Sequence, residues 1–187
     1  MRAPQRPLDA GASPDRAGRP AVVVLMGVAG AGKTTVGQRL AASLGWSFAD
    51  ADAFHPPENV ERMRRGAALT DDDRRPWLDA LRAHVGAALA RHEHLVLACS
   101  ALRRVYREAL VPAEATPDAV RFVHLAVSPA ELARRLATRP GHFAPPALLG
   151  SQLATLEDPT PDEHVPVVDG ELPVDAVVER IRAALGV

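Results

Sequence analysis

A glycine-rich segment, with an apolar run before it and a helical pattern after it, fixes the type of fold open to this chain. Residues 21–26 form a short, valine-rich apolar run, typical of a strand buried on both faces. Residues 33–44 carry apolar side chains at every fourth position, and a helix-ending Gly45 follows. Between them, residues 27–34 read GVAGAGKT and match the pattern G-x-x-x-x-G-K-[ST]. The sequence therefore predicts a strand, a phosphate-binding loop (P-loop) and a helix in succession.

The chemistry of this loop predicts ATP binding. Glycines let the backbone wrap tightly enough to aim N–H groups at phosphate oxygens, and the following helix adds the positive end of its dipole. We expect Lys33 to reach the β and γ phosphates and Thr34 to offer its hydroxyl to Mg²⁺. Lys33 is the only lysine among 22 Lys and Arg residues, which supports this role independently of the pattern. The expected phosphate contacts are Gly27, Val28, Ala29, Gly30, Ala31, Gly32, Lys33, Thr34, Thr35 and Arg135.

The rest of the chain alternates between apolar runs and helical stripes. Further strands are predicted at residues 47–50, 94–99, 121–127 and 164–168, and helical patterns lie between them. This alternation predicts an α/β fold of the three-layer P-loop NTPase type, with a mostly parallel five-stranded sheet. We expect one domain over residues 20–187, with a helical flap at about 53–93 and a lid at about 139–150.

Composition limits the partners of the chain. Lys plus Arg number 22 and Asp plus Glu number 23, so no global field favours nucleic acid or an anionic membrane. No apolar run reaches the ~20 residues that span a bilayer. The lone Cys99 cannot form an intramolecular disulfide, and it is expected to be a buried apolar residue of a cytoplasmic protein. Residues 1–19 are expected to be a disordered tail; a transit peptide is the alternative, although Asp9 and Asp15 are unusual in one.

Two carboxylates follow the second predicted strand, at the edge of the sheet where ligands bind. In an extended chain, Asp50 and Asp52 would point to the same side. We expect Asp50 to hold Mg²⁺ through water and Asp52 to orient, and perhaps deprotonate, an attacking hydroxyl. The alternative is that both are turn or cap residues. His55 either donates to a substrate oxygen or packs within the loop.

Other charged residues have both a functional and a structural explanation. The run at 71–73 is explained by the preference of carboxylates for a helix N-terminus. Arg103 could pair with an anionic substrate, whereas Arg104 is better explained as a solvated helix charge. Arg139 precedes a Pro/Gly-punctuated segment and is expected to be a lid cation that approaches the transferred phosphoryl group; favourable placement at a helix C-terminus is the alternative.

These residues together resemble the bacterial-type gluconokinases, P-loop kinases related to shikimate and adenylate kinases. The resemblance covers about residues 22–168. It rests on Met26 with the loop, Asp50-Ala51-Asp52, His55-Pro56, Asn59, Met63, Gly66, Leu69, Asp71-Asp72-Asp73-Arg74, Pro76-Trp77-Leu78, Cys99-Ser100-Ala101-Leu102-Arg103, Tyr106-Arg107, Arg139, Gly141-His142-Phe143, Gln152, Thr155-Leu156-Glu157 and Pro159.

The resemblance implies ATP- and Mg²⁺-dependent phosphorylation of D-gluconate at its C6 hydroxyl by a homodimer. Catalysis would use Lys33, Asp52 and Arg139. The flap at about 53–93 would be the substrate-binding region. Substrate contacts would come from Asp52, His55, Arg62, Arg74, Arg103 and His142. Two alternatives stay open: a sister kinase for shikimate, another sugar acid or a nucleoside monophosphate, and a nucleotide-dependent switch with no small acceptor.

Overall fold

The computed structural model describes residues 20–138 and 146–187, and within them the chain forms one five-stranded sheet. Every pairing is parallel, and the strand order is β2-β3-β1-β4-β5. The strands are β1 (Val22–Met26), β2 (Ser47–Asp50), β3 (Leu95–Ala98), β4 (Val120–Ala126) and β5 (Val167–Asp169). The predicted five-stranded α/β fold is confirmed.

Helices cover both faces of this sheet. Those described are α1 (Lys33–Leu44), α2 (Pro57–Arg64), α3 (Asp71–Ala90), α4 (Arg104–Leu110), α5 (Pro129–Thr138), α6 (Pro146–Thr155) and α7 (Val174–Leu185), with short 3₁₀ turns at Ala51–Phe54 and Pro161–Glu163. Within the described ranges, no helix is long and apolar enough to cross a bilayer.

The central strand β1 separates two apolar layers. Its five residues are fully buried, because alternate side chains enter opposite layers. Val23 and Leu25 pack with residues of α1, α5 and α7, whereas Val22, Val24 and Met26 pack with residues of α3 and α4. The loop at 27–32 therefore begins at the end of a fully buried strand.

The predicted flap at 53–93 includes a helix that belongs to the core. Trp77, Leu81 and Val85 of α3 are buried in the same layer as Val22 and Val24. The stretch at 51–70, with a 3₁₀ turn and α2, connects β2 to this helix. A capping box begins α3: the Thr70 hydroxyl accepts from the Asp73 N–H at 3.2 Å, and the Asp73 carboxylate accepts from the Thr70 N–H at 2.9 Å.

The predicted last strand was misplaced by a few residues. It was expected at 164–168, whereas β5 occupies Val167–Asp169. A 3₁₀ turn over Pro161–Glu163 ends at His164, whose φ of 49° is incompatible with a strand. The tail at 1–19 and most of the lid segment, with Arg139 and His142, lie outside the described residues.

Candidate active site

The loop after β1 needs glycine at particular positions. Gly27 has a φ of 144°, and a Cβ added to it would lie 3.0 Å from the carbonyl oxygen of Leu125 on β4. Gly32 caps α1 with a φ of 94°. L-amino acids with a Cβ rarely adopt these angles, so the glycines of the motif set the path of the loop. The result is the strand, tight loop and helix that phosphate binding requires.

Lys33 begins α1 and turns back over the loop. Its Nζ donates to the carbonyl oxygen of Val28 at 3.0 Å. The backbone N–H of the next residue, Ala29, donates to Oε1 of Gln152 at 2.6 Å. Sequence reasoning gave Gln152 no role of its own. No local pattern could have done so, because 123 residues separate the two partners.

Thr34 and Asp50, both expected near the metal, are in direct contact. The Thr34 hydroxyl donates to Oδ2 of Asp50 at 2.8 Å. This bond joins the first turn of α1 to the carboxyl end of β2. A hydroxyl and a carboxylate side by side are oxygen ligands of the kind that Mg²⁺ prefers.

The backbone at Asp52 differs from the extended chain that was expected. Residues Ala51–Phe54 form a 3₁₀ turn, and Oδ1 of Asp50 accepts the N–H of Asp52 at 3.1 Å. Asp50 is therefore also a cap residue, as the structural alternative proposed, while its Oδ2 faces Thr34. The alternation rule that placed both side chains on one side does not apply, because β2 ends at Asp50.

The thiol of Cys99 is buried and is affected by charged groups of the site. Cys99 directly follows β3, and burial raises its pKa to about 12. Lys33 acts on this thiol in the opposite direction, while Asp52 and Asp50 raise its pKa further. In the sheet, Asp50 lies opposite Ala98, the residue before Cys99. Cys99 itself is buried, as expected, and an unionised thiol is a poor nucleophile.

His55 packs against the start of α3. Its ring stacks on Trp77 with centroids 4.5 Å apart and planes 5° apart, and the Trp77 indole N–H donates to the carbonyl of Ala51 at 2.7 Å. Burial lowers the pKa of His55, against an opposing effect of Asp52. The ring is therefore mainly neutral near pH 7. The packing role is observed, and a substrate contact stays a prediction.

A polar cavity of about 370 Å³ lies between α3, α4 and α6. The Tyr106 hydroxyl donates to Oδ1 of Asp71 at 2.5 Å and accepts from Arg74 at 3.2 Å. Arg103 donates to Oδ2 of Asp71 at 2.7 Å and to Glu157 at 3.2 Å. Hydrogen bonds from Tyr106 and Arg103 lower the pKa of Asp71. Asp71 is thus hydrogen-bonded to Tyr106 and Arg103 in the cavity lining. Its position at a helix N-terminus did not predict this role.

The other predicted cations lie in different surroundings. Arg62 pairs with Asp73 at 2.7 Å and is 55% exposed. Arg104 pairs with Glu108 one helical turn away, as expected for a helix charge, and with Asp162. Arg135 is beside the P-loop: its guanidinium donates to the carbonyl oxygens of Gly170 at 2.9 Å and Gly30 at 3.5 Å, and it pairs with Glu131 at 2.7 Å.

A buried ion pair contacts the segment that carries Glu157, a residue of the cavity lining. Arg107, 3% exposed, makes two hydrogen bonds to Glu163, at 2.6 and 2.9 Å. The same guanidinium donates to the carbonyl of Glu157 at 3.2 Å. The segment that carries the Glu157 carboxylate to Arg103 is thereby fixed. Sequence reasoning did not foresee this pair, because a charged residue seldom has a fully buried side chain.

The parallel sheet, the P-loop and the carboxylates at its mouth define a P-loop kinase of the small-molecule type. The profile of the AAA domain family matches residues 22–159. The chain is 51% identical to a gluconokinase of Gluconobacter oxydans, over 87% of this chain and 90% of that protein. It belongs to the gluconokinase family.

Solved structures agree with this placement. A sugar kinase from a Janibacter species superposes with a TM-score of 0.82 at 44% identity, over 89% of this chain and 95% of the other. A gluconokinase from Sinorhizobium meliloti gives a TM-score of 0.77 at 44% identity, over 89% and 92%. The shikimate kinase of Aquifex aeolicus, at 19% identity and a TM-score of 0.55 over 88% and 96%, shares the fold.

Proposed function

We propose that this chain transfers the γ-phosphoryl group of ATP to the C6 hydroxyl of D-gluconate, giving 6-phospho-D-gluconate and ADP. The observation that carries the acceptor assignment is the 51% identity to a named gluconokinase over most of both chains. The site geometry carries the reaction type, because a phosphate loop and carboxylates converge at one edge of the sheet.

On the nucleotide side, the loop N–H groups and Lys33 hold the phosphates, with Arg135 beside the loop. Thr34 and Asp50 would hold Mg²⁺, Asp50 through water, since that ion keeps several waters and needs few protein oxygens. When bound, the ion neutralises charge on the β and γ phosphates. Lys33 offsets charge that shifts toward the leaving oxygen during transfer. Arg139, outside the described residues, has the same expected role.

On the acceptor side, Asp52 is the carboxylate that orients the attacking hydroxyl and receives its proton. It is exposed at the mouth of the site, next to the end of β3. His55 and His142 are the proposed donors to other hydroxyls of the acceptor. Positioning of the hydroxyl in line with the γ phosphorus supplies most of the rate enhancement.

The cavity between α3, α4 and α6 is the proposed place of the sugar-acid carboxylate. Arg103 already binds two carboxylates, and Arg62 binds Asp73. Arg74 lines the same cavity, and its nearest carboxylate oxygen, on Asp71, is 3.7 Å away. Arg74 also donates to the Tyr106 hydroxyl, but its charge has the more distant carboxylate partner. Arg74 is therefore the proposed partner of an anionic substrate, with Arg103 beside it.

The test is ADP release measured with a coupled assay across a panel of acceptors. Gluconate should give the highest kcat/KM, against shikimate, other sugar acids and nucleoside monophosphates. Mass spectrometry of the product should show one added phosphate on gluconate. A slow ATPase rate that no acceptor changes would instead support a nucleotide-dependent switch and overturn the proposal.

Two further proposals concern assembly, which the family suggests, and location, which the lone cysteine suggests. We propose a homodimer in the cytoplasm, and the unpaired, buried Cys99 fits a reducing compartment. Light scattering coupled to size exclusion should give twice the mass of the 19.9 kDa chain. A monomeric mass at micromolar concentration would contradict the dimer.

A further inference from the structure

Gln152, on α6, contacts the phosphate loop directly. Its Oε1 accepts the N–H of Ala29 at 2.6 Å, and the side chain is half-buried. Ala29 lies within the loop whose N–H groups are proposed to meet phosphate oxygens. A neutral amide oxygen thus occupies an acceptor position on the lining of the phosphate cradle.

The peptide unit between Val28 and Ala29 is held from both sides. Lys33 donates to its carbonyl oxygen at 3.0 Å, and Gln152 accepts from its N–H. In a trans peptide the oxygen and the N–H lie on opposite edges of one plane. One peptide unit therefore separates the Gln152 carboxamide from the ammonium expected at the β and γ phosphates.

The second polar group of this carboxamide is a donor. With Oε1 bound to Ala29, Nε2 is the other polar atom of the same planar group. Nε2 makes no hydrogen bond to the residues that the structure describes, and it is not among their buried polar atoms without a partner. A primary amide can donate two hydrogen bonds.

The helix that carries Gln152 joins the two halves of the site. Leu149 is buried in the same apolar cluster as Val28, and Leu153 packs against that cluster. Ser151 and Thr155 of the same helix line the cavity proposed for the acceptor. Gln152 thus contacts the phosphate loop from a helix whose neighbouring residues line the proposed acceptor cavity.

We propose that Gln152 positions the γ-phosphoryl group: its Oε1 keeps the Ala29 N–H, so that this amide of the loop does not itself meet phosphate, while its Nε2 donates to a γ-phosphoryl oxygen. The inference rests on the proposed use of ATP and does not depend on which acceptor is phosphorylated. A neutral donor there would orient the phosphoryl group without adding a competing charge to Lys33.

The test compares the affinity of an ATP analogue that cannot be hydrolysed with that of ADP, by titration calorimetry in the presence of Mg²⁺. Gln152→Leu should weaken the ATP analogue about tenfold and leave ADP within about twofold, since only the analogue has a γ group. The kcat should fall, with the KM for gluconate nearly unchanged. Gln38→Leu, an exposed glutamine on α1, is the matched control and should change neither affinity.

Gln152→Glu separates positioning from loop support. A carboxylate still accepts the Ala29 N–H, so the loop should stay intact, but it cannot donate to a phosphate. The affinity of the Gln152→Glu variant for the ATP analogue should be lower than that of wild type. This difference in affinity should become smaller as pH falls and the carboxyl regains a proton to donate. If Gln152→Leu lost affinity equally for the ATP analogue and ADP, or lost none, this inference alone would be overturned. Failure of the wild-type chain to bind any nucleotide would also overturn the proposed function.

Discussion

Lys33 combines a small head group with a position that a larger cation could not occupy in the same way. Its Nζ lies 3.0 Å from the Val28 carbonyl, inside a loop whose turns depend on glycine. Arginine would bring a planar, five-donor group into that space. Although 21 of the 22 Lys and Arg residues are arginine, this position therefore requires lysine.

Lys33→Arg should lower kcat by roughly 100-fold, because the charge would no longer meet the β and γ phosphates in the transition state. Steady-state kinetics measure the loss, and circular dichroism checks the fold. Arg39→Lys, in an exposed ion pair with Asp175, is the control and should leave kcat unchanged. A Lys33→Arg variant with wild-type kcat would show that positive charge alone is sufficient.

Asp52 is predicted to act on the acceptor and not on the nucleotide. Asp52→Asn should reduce kcat by about 10²- to 10⁴-fold, since an amide cannot take up the proton of the hydroxyl. The KM for ATP should stay within a few-fold of wild type. Asp72→Asn, an exposed carboxylate paired with Arg75, is the matched control. A fall in ATP affinity with little change in kcat would instead assign Asp52 to the metal.

At the scale of elements, α3 links the core to the 3₁₀ turn over Ala51–Phe54. The helix packs on the sheet along one side, and its Trp77 reaches back to the carbonyl of Ala51. The 3₁₀ turn that carries Asp52 is thereby held by the helix that follows it in sequence.

Trp77→Phe tests this link because it keeps a large aromatic ring and removes the N–H. The buried Ala51 carbonyl would lose its donor, which should cost about 1 to 3 kcal/mol of unfolding free energy. The KM for gluconate should rise several-fold while that for ATP stays near wild type. Urea denaturation and steady-state kinetics measure both effects. Trp46→Phe, the chain's other tryptophan, is the control, and an unchanged gluconate KM in the Trp77 variant would disprove the link.

Elements defined by local patterns were predictable from the sequence, while contacts across the chain were not. The periods of apolar residues placed α1 and β2 at their observed bounds. The 3₁₀ turns before β5 and after β2 depend on side-chain caps, which carry no periodic signal. Thr34 was expected at the metal from its motif, but its bond to Asp50 joins the first turn of α1 to the end of β2, which no local pattern indicates. Gln152 and the Arg107–Glu163 pair join segments far apart, with no pattern to connect them.

At the scale of the whole molecule, the Arg107–Glu163 pair couples stability to pH. Hydrogen bonds from Arg107 lower the pKa of Glu163 from 4.5 to about 2. A carboxyl with a lowered pKa in the folded state adds stability above its unfolded pKa, and that stability is lost as pH falls toward the folded value. The contribution is therefore complete near pH 7 and declines between about 4.5 and about 2.

Glu163→Gln should lower the unfolding free energy at pH 7 by about 3 kcal/mol, because it leaves the buried guanidinium uncompensated. The difference from wild type should shrink between pH 5 and pH 3, as measured by urea denaturation at several pH values. Glu179→Gln, an exposed carboxylate, should show little difference at any pH. A gap for Glu163→Gln that stays constant with pH would contradict the ionic origin of the effect.

The buried thiol at the end of β3 has a practical consequence for studying this protein. The chain contains a single cysteine, and that group is both enclosed and held in its unreactive, protonated form. A cysteine introduced on an exposed surface would therefore be the one group open to maleimide dyes under native conditions. Fluorescent reporters can thus be attached at chosen positions without first removing the native sulfur.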